Sequence, residues 1–207
     1  MAFRLGQLNL SASSVRVLKE LRHGPSTVEE LAQTMHLTAN AVRNQLTKLL
    51  DANLIVRSGI RPGASKPSVL YSITIEGEAQ FSTIYLPVLT HFLRVAETKC
   101  QEPQLDDFMR ETGRSLAAHY PKPTGDLSSR ARAGARLLGT FGALPDVRKE
   151  KGHIVIRSKG CPLAALTSDN PAACHVLEGL LADYVGADAR VCCTLEPEPR
   201  CCFEITA

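Results

Sequence analysis

The 207-residue chain has no tryptophan, and aromatic residues make up only 5% of it. No apolar run reaches the roughly 18 residues needed to span a bilayer, so no membrane partner is expected. The opening stretch, MAFRLGQLNLSASS, lacks an apolar core long enough for a secretory signal, which predicts a cytoplasmic protein. No Ser/His/Asp pattern and no Gly-rich phosphate loop is present, so the sequence does not read as an enzyme. Close C-x₂₋₄-C knuckles are missing too, which weighs against a structural zinc site. What remains is 44% hydrophobic and 22% charged, an ordinary globular profile with room for one large or two small domains.

Charge and cysteine are unevenly placed. Residues 1–74 hold nine Lys/Arg against four Asp/Glu, a local balance of +5, whereas the whole chain carries only +3. A basic third on a slightly acidic body suggests an anionic partner there. Six of the seven cysteines lie between 161 and 207. Clustered cysteines in a chain without a secretory signal point to metal or redox chemistry rather than a disulfide framework. Burial of inert thiols explains one such residue better than six.

Val15, Val17, Leu18 and Leu21 form a short helical stripe that Gly24-Pro25 stops. Ser26 followed by Glu29 fits a capping box for a second helix over about 27–35. His36-Leu37 makes a turn, and Thr38 is placed to cap a third helix. On that helix Val42, Leu46, Leu49 and Leu50 share one face. Asn40, Arg43, Asn44, Thr47 and Lys48 lie on the others, a polar set suited to base edges and phosphates in a major groove. Two β-rich runs follow, 54–56 and 69–73, joined by RSGIRPGASKPS. That segment holds Arg57, Arg61 and Lys66 and no acid, as in a wing that touches the DNA backbone. The stretch AVRNQLTKLLDANLIVRSGIRPGASKPSVLYSITIEG resembles winged-helix bacterial repressors of the ArsR/DeoR-like type. The resemblance implies a double-stranded DNA operator as partner and makes Thr38, with the polar residues just named, the DNA-binding set.

Phe81, Ile84, Tyr85, Val88, Leu89, Phe92, Val95 and Ala96 read as one helical stripe over 75–98, with a kink at Pro87. So broad an apolar stripe after a small winged helix suggests a homodimer interface. Two more helices are marked by Leu105–Leu116 and Leu127–Leu138, Gly134 being an awkward member of the second. Cys100 has no cysteine neighbour in sequence and reads as a bystander.

Beyond 142 the pattern is a small α+β domain. A strand over 153–157 leads through Gly160 to Cys161. Asn170-Pro171 starts a helix whose first turn holds Cys174, where free N–H groups and the helix dipole favour thiolate. Two strands close the chain, about 190–195 and 200–206. Alternation puts Val191, Cys193 and Leu195 on one face and Cys201, Phe203 and Ile205 on one face, so Cys193 and Cys201 point the same way and Cys192 and Cys202 the other. An iron–sulfur cluster, a zinc site and a thiol switch all compete for these sulfurs. His23, His36, His91, His119 and His153 read as surface or core residues, and His175 as a weak candidate beside Cys174.

The segment GCPLAALTSDNPAACHVLEGLLADYVGADARVCCTLEPEPRCCFEI is similar to the sensor part of SufR-type iron–sulfur regulators. On that resemblance Cys161, Cys174 and Cys201 match ligand positions. The family's remaining position falls on Asp188, leaving Cys193 or Cys192 to supply the ligand. The expected ligand set is Cys161, Cys174, Cys193 and Cys201, with [4Fe-4S] favoured over [2Fe-2S]. The chain thus reads as α+β: a winged-helix domain (1–74), dimerisation and linking helices (75–141) and a cysteine-rich sensor domain (142–207). The expected function is a dimeric transcriptional regulator, a repressor by resemblance, with a zinc or thiol-redox sensor as the alternative.

Overall fold

The computed structural model describes residues 10–63, 66–150, 152–193 and 200–207. The chain divides into two compact units, 2–85 and 86–207. It is a mixed α+β protein.

The first unit packs three helices, α1 (Ala12–Leu21), α2 (Val28–Met35) and α3 (Ala39–Asp51), against a two-stranded hairpin, β1 (Ile55–Arg61) and β2 (Ser68–Ile73). Each helix starts on a hydroxyl: Ser11 accepts from Ser14 N, Thr27 from Glu30 N and Thr38 from Ala41 N. The capping box sits one residue later than the sequence suggests, on Thr27 and Glu30. Ser26 is occupied elsewhere, exchanging backbone hydrogen bonds with Tyr71 and so fastening the base of the hairpin to the start of α2. His36 closes α2 in the left-handed conformation at φ 55° and makes the tight turn into α3. Val17, Leu18, Leu21, Leu31, Val42, Leu46, Leu49, Leu54 and Ile55 form the core. The hairpin is antiparallel, and a bulge between Arg57 and Gly59 strengthens its twist. Ala64 and Ser65, in the basic wing segment, lie outside the described residues. A five-residue helix, α4 (Ile75–Ala79), capped by Thr74, ends this unit's regular structure.

The apolar stripe read over 75–98 is therefore two helices. After α4 the chain resumes as α5 (Tyr85–Lys99). Pro87 stands in the first turn of α5, where its missing N–H has no helical acceptor to lose.

In the second unit α5 is followed by α6 (Glu102–Ala117), α7 (Leu127–Thr140), β3 (Pro145–Glu150), β4 (His153–Ser158), α8 (Ala164–Thr167), α9 (Cys174–Val185), β5 (Asp188–Val191) and β6 (Cys202–Thr206). The strands form one antiparallel sheet in the order β3-β4-β6-β5. Helices α7 and α9 share a core with it, built on Leu138, Leu177, Leu180, Leu181, Val185, Ile156, Phe203 and Ile205. A Cβ on Gly134 would meet Val185 and Leu181 side chains at 2.9 and 3.0 Å, so this glycine lets α7 approach α9. Helices α6 and α9 meet more closely still. A Cβ on Gly113 would stand 2.0 Å from the Val176 carbonyl oxygen, and one on Gly179 2.0 Å from that of Arg110. Strand β3, PDVRKE, carries little apolar alternation and is not evident in the sequence. Helix α9 begins at Cys174, preceded by a 3₁₀ turn at Pro171–Ala173, and the Asn170 side chain does not cap it.

Candidate functional site

The face of α3 away from the core carries the polar residues anticipated from the sequence. Thr38, Asn40, Arg43, Asn44, Thr47 and Lys48 are all exposed, as are Arg57, Arg61 and Lys66 of the hairpin. Three of these side chains are partly engaged inside the module. Thr38 caps α3, Thr47 Oγ1 donates to the Arg43 carbonyl at 3.0 Å, and Asn40 Oδ1 accepts from Arg43 at 3.2 Å. The two arginines face acids of α2: Arg43 pairs with Glu29 at 3.6 Å, and Arg61 pairs with Glu30. Glu30 thus serves both the cap of α2 and the wing. Glu29 and Glu30 place negative charge beside both arginines.

The second site lies in the C-terminal unit. Cys161 follows β4, Cys174 opens α9, Cys193 follows β5 and Cys201 precedes β6. Register explains how the hairpin presents its pair. Val191 stands opposite Phe203, and Cys192 N donates to Cys202 O at 2.7 Å, which puts Cys193 opposite Cys201. Cys201 is buried in the core, with Cys161 and Cys193 packed against it. Leu195 and the connection 196–199 lie outside the described residues.

The four thiols influence one another in sequence, Cys161 with Cys201, Cys201 with Cys193 and Cys193 with Cys174, each perturbing the titration of the next. Protons are shared unequally among them. Cys193 accepts from Cys174 and from Cys201, which lowers its pKa to about 3; the Cys202 N–H, at 3.3 Å from its sulfur, adds to the effect. Cys161 accepts from Cys201 and falls to about 6. The two donors move the opposite way. Cys201 is pushed well above the usual thiol range by its bonds to Cys161 and Cys193 and by burial. Cys174 is pushed up by its bond to Cys193 and by burial. The helix-dipole expectation for Cys174 therefore fails: a nearer thiolate and desolvation outweigh the partial charge of the helix end. The site thus favours thiolate at Cys193 and Cys161 and thiol at Cys174 and Cys201.

Cys192 and Cys202 take the opposite side of the hairpin and form a disulfide, with Cα atoms 4.8 Å apart. His175 is engaged by carboxylates. Its Nδ1 lies 3.1 Å from Glu178 and its Nε2 3.4 Å from Asp106. Glu178, nearly buried, also accepts from Arg110 Nε at 2.6 Å and from Val191 N at 3.0 Å. Those bonds hold its pKa below the ordinary carboxyl value despite burial. The network fixes β5 and α6 to α9 just beside Cys174.

A cavity of about 650 Å³ opens on Cys174 and Cys193. Cys100, a bystander by sequence, lines it together with Glu97, Asp106 and His175. No sequence spacing connects position 100 to this site; the packing of α5 brings it there. Among the described residues, no three His, Cys, Asp or Glu side chains stand ready to hold a metal ion as placed. The four sulfurs close on one another instead. By donor type and number they suit a thiophilic centre, since thiolates favour iron–sulfur clusters and zinc.

Residues 13–56 match the model of the bacterial regulatory protein, arsR family. These residues make an arsR-type helix-turn-helix domain. The match ends at the start of the wing and covers none of the cysteines. No curated protein matches the chain. With the basic hairpin described above, the first unit is a winged-helix module, and the chain is a DNA-binding transcriptional regulator. Among the described residues no helix is long and apolar enough to cross a membrane.

Proposed function

We propose that this regulator works in the cytoplasm as a homodimeric repressor, and that an iron–sulfur cluster held by Cys161, Cys174, Cys193 and Cys201 sets its operator affinity. The observation that carries the reading is the meeting of these four cysteines, from four separate segments, at one end of the sheet and the start of α9. Four thiolates can hold an iron–sulfur cluster, for which we favour [4Fe-4S] over [2Fe-2S] on the sequence resemblance, and the cluster would supply sensitivity to oxidants and to iron supply. On the DNA side, Arg43, Asn44 and Lys48 are placed for base edges and phosphates, and Arg57, Arg61 and Lys66 for the backbone.

Helix α5 is the element suited to join sensor and DNA reader, because it has two working faces. Its inner face packs Leu93, Ala96 and Cys100 on Leu166 and Ala173, within the segment bounded by Cys161 and Cys174. With its amide nitrogen toward α5, Asn170 donates to both Glu97 oxygens at 2.8 and 3.0 Å, and Arg94 pairs with Asp169 at 3.8 Å. Its outer face exposes Val88, Leu89, Phe92 and Val95, each 43–57% accessible. An apolar patch of that kind marks a protein interface, and two-fold pairing is the commonest form. A shift of Cys161 or Cys174 is passed through Asn170 and Ala173 to α5, and from α5 to the pairing of the two chains.

The alternative is a zinc or thiol-redox sensor built on the same sulfurs; the thiol–thiolate chain favours its redox form. Anaerobic purification followed by iron, sulfide and zinc analysis separates the readings. Iron and sulfide in equal amounts support the cluster. Zinc alone, or no metal after reconstitution, rejects it.

A further inference from the structure

The Cys192–Cys202 disulfide is not used in the reading above, and its position gives it a role of its own. A regulator that acts on DNA shares a compartment with a reducing thiol pool. Disulfides there are as a rule redox-active rather than structural. This one is reachable: both cysteines are only half-buried, and Cys192 lines the 650 Å³ cavity. It also sits where it matters. β5 is an edge strand of four residues, paired with β6 alone. Beyond Val191, among the described residues, the chain is tied to β6 by Cys192 N to Cys202 O at 2.7 Å, by Cys202 N to Cys193 Sγ at 3.3 Å, by Cys193 Sγ to Cys202 O at 3.6 Å, and by the disulfide.

Cys193 and Cys201 are anchored very differently. Cys201 lies in the core, 3% exposed, and its carbonyl accepts from Ser158 N at 2.8 Å on β4. Cys193 stands at the loose end of an edge strand, one residue past the disulfide. The cross-link joins Cys192 covalently to Cys202 and so holds the next residue, Cys193, at its place opposite Cys201. Opening it leaves Cys193 held by hydrogen bonds alone, with no covalent tie beside it.

We infer that Cys192–Cys202 is a reversible exchange site for small thiols and disulfides, and that its state decides whether Cys193 is held against Cys174 and Cys201. The chemistry balances with a small thiol RSH as reductant. Its thiolate attacks the Cys192 sulfur, the protein S–S bond breaks, and Cys202 leaves as thiolate and takes a proton. A second RSH, as thiolate, attacks the mixed disulfide and releases Cys192 as a thiol together with RSSR. Two electrons pass from two small thiols to the protein disulfide, and RSSR drives the reverse reaction.

The test uses the metal-free full chain, so that it does not depend on the cluster. The protein is equilibrated anaerobically with glutathione and glutathione disulfide over a range of ratios. Acid quenching, differential alkylation and mass spectrometry then give the state of every cysteine. The expected result is a single reversible transition that links Cys192 to Cys202 and leaves Cys161, Cys174 and Cys201 as thiols. Across that transition Cys193 should alkylate several-fold faster when the pair is open, while Cys161 changes little. A C192S/C202S variant, checked for folding by circular dichroism, should show the fast Cys193 rate at every ratio. A pair that stays reduced or stays oxidised throughout, a disulfide between other cysteines, or an unchanged Cys193 rate overturns the inference. Metal analysis of the untreated protein is unaffected by any of these outcomes, so the cluster reading stands or falls separately.

Discussion

The crossing of α6 and α9 offers the sharpest test of the packing that supports the cysteine site. Gly179 lies where its missing Cβ would be 2.0 Å from the Arg110 carbonyl oxygen and 2.7 and 2.8 Å from the carbonyl carbon and Cα. Ordinary carbon–oxygen contacts need more than 3 Å, and all three neighbours are helix backbone, which cannot rotate aside. Gly179→Ala therefore forces the helices apart by about 1 Å. Overpacking of this kind costs about 1–3 kcal/mol. The better helix propensity of alanine returns about 1 kcal/mol. Movement of Arg110 also loosens its 2.6 Å bond to Glu178, and a hydrogen bond to a charged group contributes about 1.5–3 kcal/mol. The net expectation is a loss of about 2–3 kcal/mol in the C-terminal unit, or a 30- to 150-fold fall in hydrogen-exchange protection along α9 and β5, since about 1.4 kcal/mol is one factor of ten. Exchange measured by mass spectrometry reads this unit apart from the winged helix, whose protection should not change. Gly160→Ala is the control, because a Cβ there meets nothing within 4 Å and its φ is not positive. Unchanged protection in Gly179→Ala, or equal losses in both variants, refutes the reasoning.

Other consequences follow from individual contacts. The two lowered thiol pKa values, about 6 for Cys161 and about 3 for Cys193, predict alkylation of the metal-free protein that is already substantial at pH 7. The Cys161 share should fall as pH drops through 6 while Cys193 persists; a rise of both only above pH 8 contradicts the proton-sharing chain. Because these folded-state values lie below the ordinary thiol value, their contribution to stability is complete only at alkaline pH. It is lost progressively as pH falls toward 6 for Cys161 and toward 3 for Cys193. The raised values of Cys174 and Cys201 act in the opposite sense, removing stability as pH rises above the unfolded thiol range, so thermal unfolding should show a decline at high pH. Glu29→Gln removes an acid that competes with phosphate for Arg43, and DNA affinity should rise a few-fold at low salt and less at high salt. Phe92→Asp, on the exposed face of α5, should shift sedimentation toward monomer and leave the circular dichroism spectrum unchanged.

How much of this was legible in sequence depended on how local the determining contacts are. The three helices of the reader, the turn at His36 and the hairpin follow from near-neighbour patterns, and they are present. The capping box slipped by one residue because Ser26 pairs with Tyr71, 45 positions away, and no local rule reveals that pairing. Strand β3 is written in polar residues because it is a sheet edge with one side toward solvent. Strand alternation places Cys193 and Cys201 on one face of the last hairpin and Cys192 and Cys202 on the other; that the second pair is bonded is visible only in the structure. Alternation could not show that Cys100 lines the adjoining cavity, or that Cys174 would be a proton donor. Both depend on what α5 and β5 bring to the start of α9. Gly134 looked like a flaw in a helix until Val185 and Leu181 were seen against it.

The central claim is that the cysteine site governs DNA binding. The direct measurement is DNA affinity of the anaerobically reconstituted protein and of the same preparation after chelation and oxidation, at one fixed salt concentration, on a fragment selected from genomic DNA by the protein itself. The two forms should differ in affinity at least tenfold, the difference should be abolished in Cys174→Ser, and Arg43→Ala should weaken both. Equal affinity of the two forms, with iron and sulfide present in one and absent from the other, contradicts the claim.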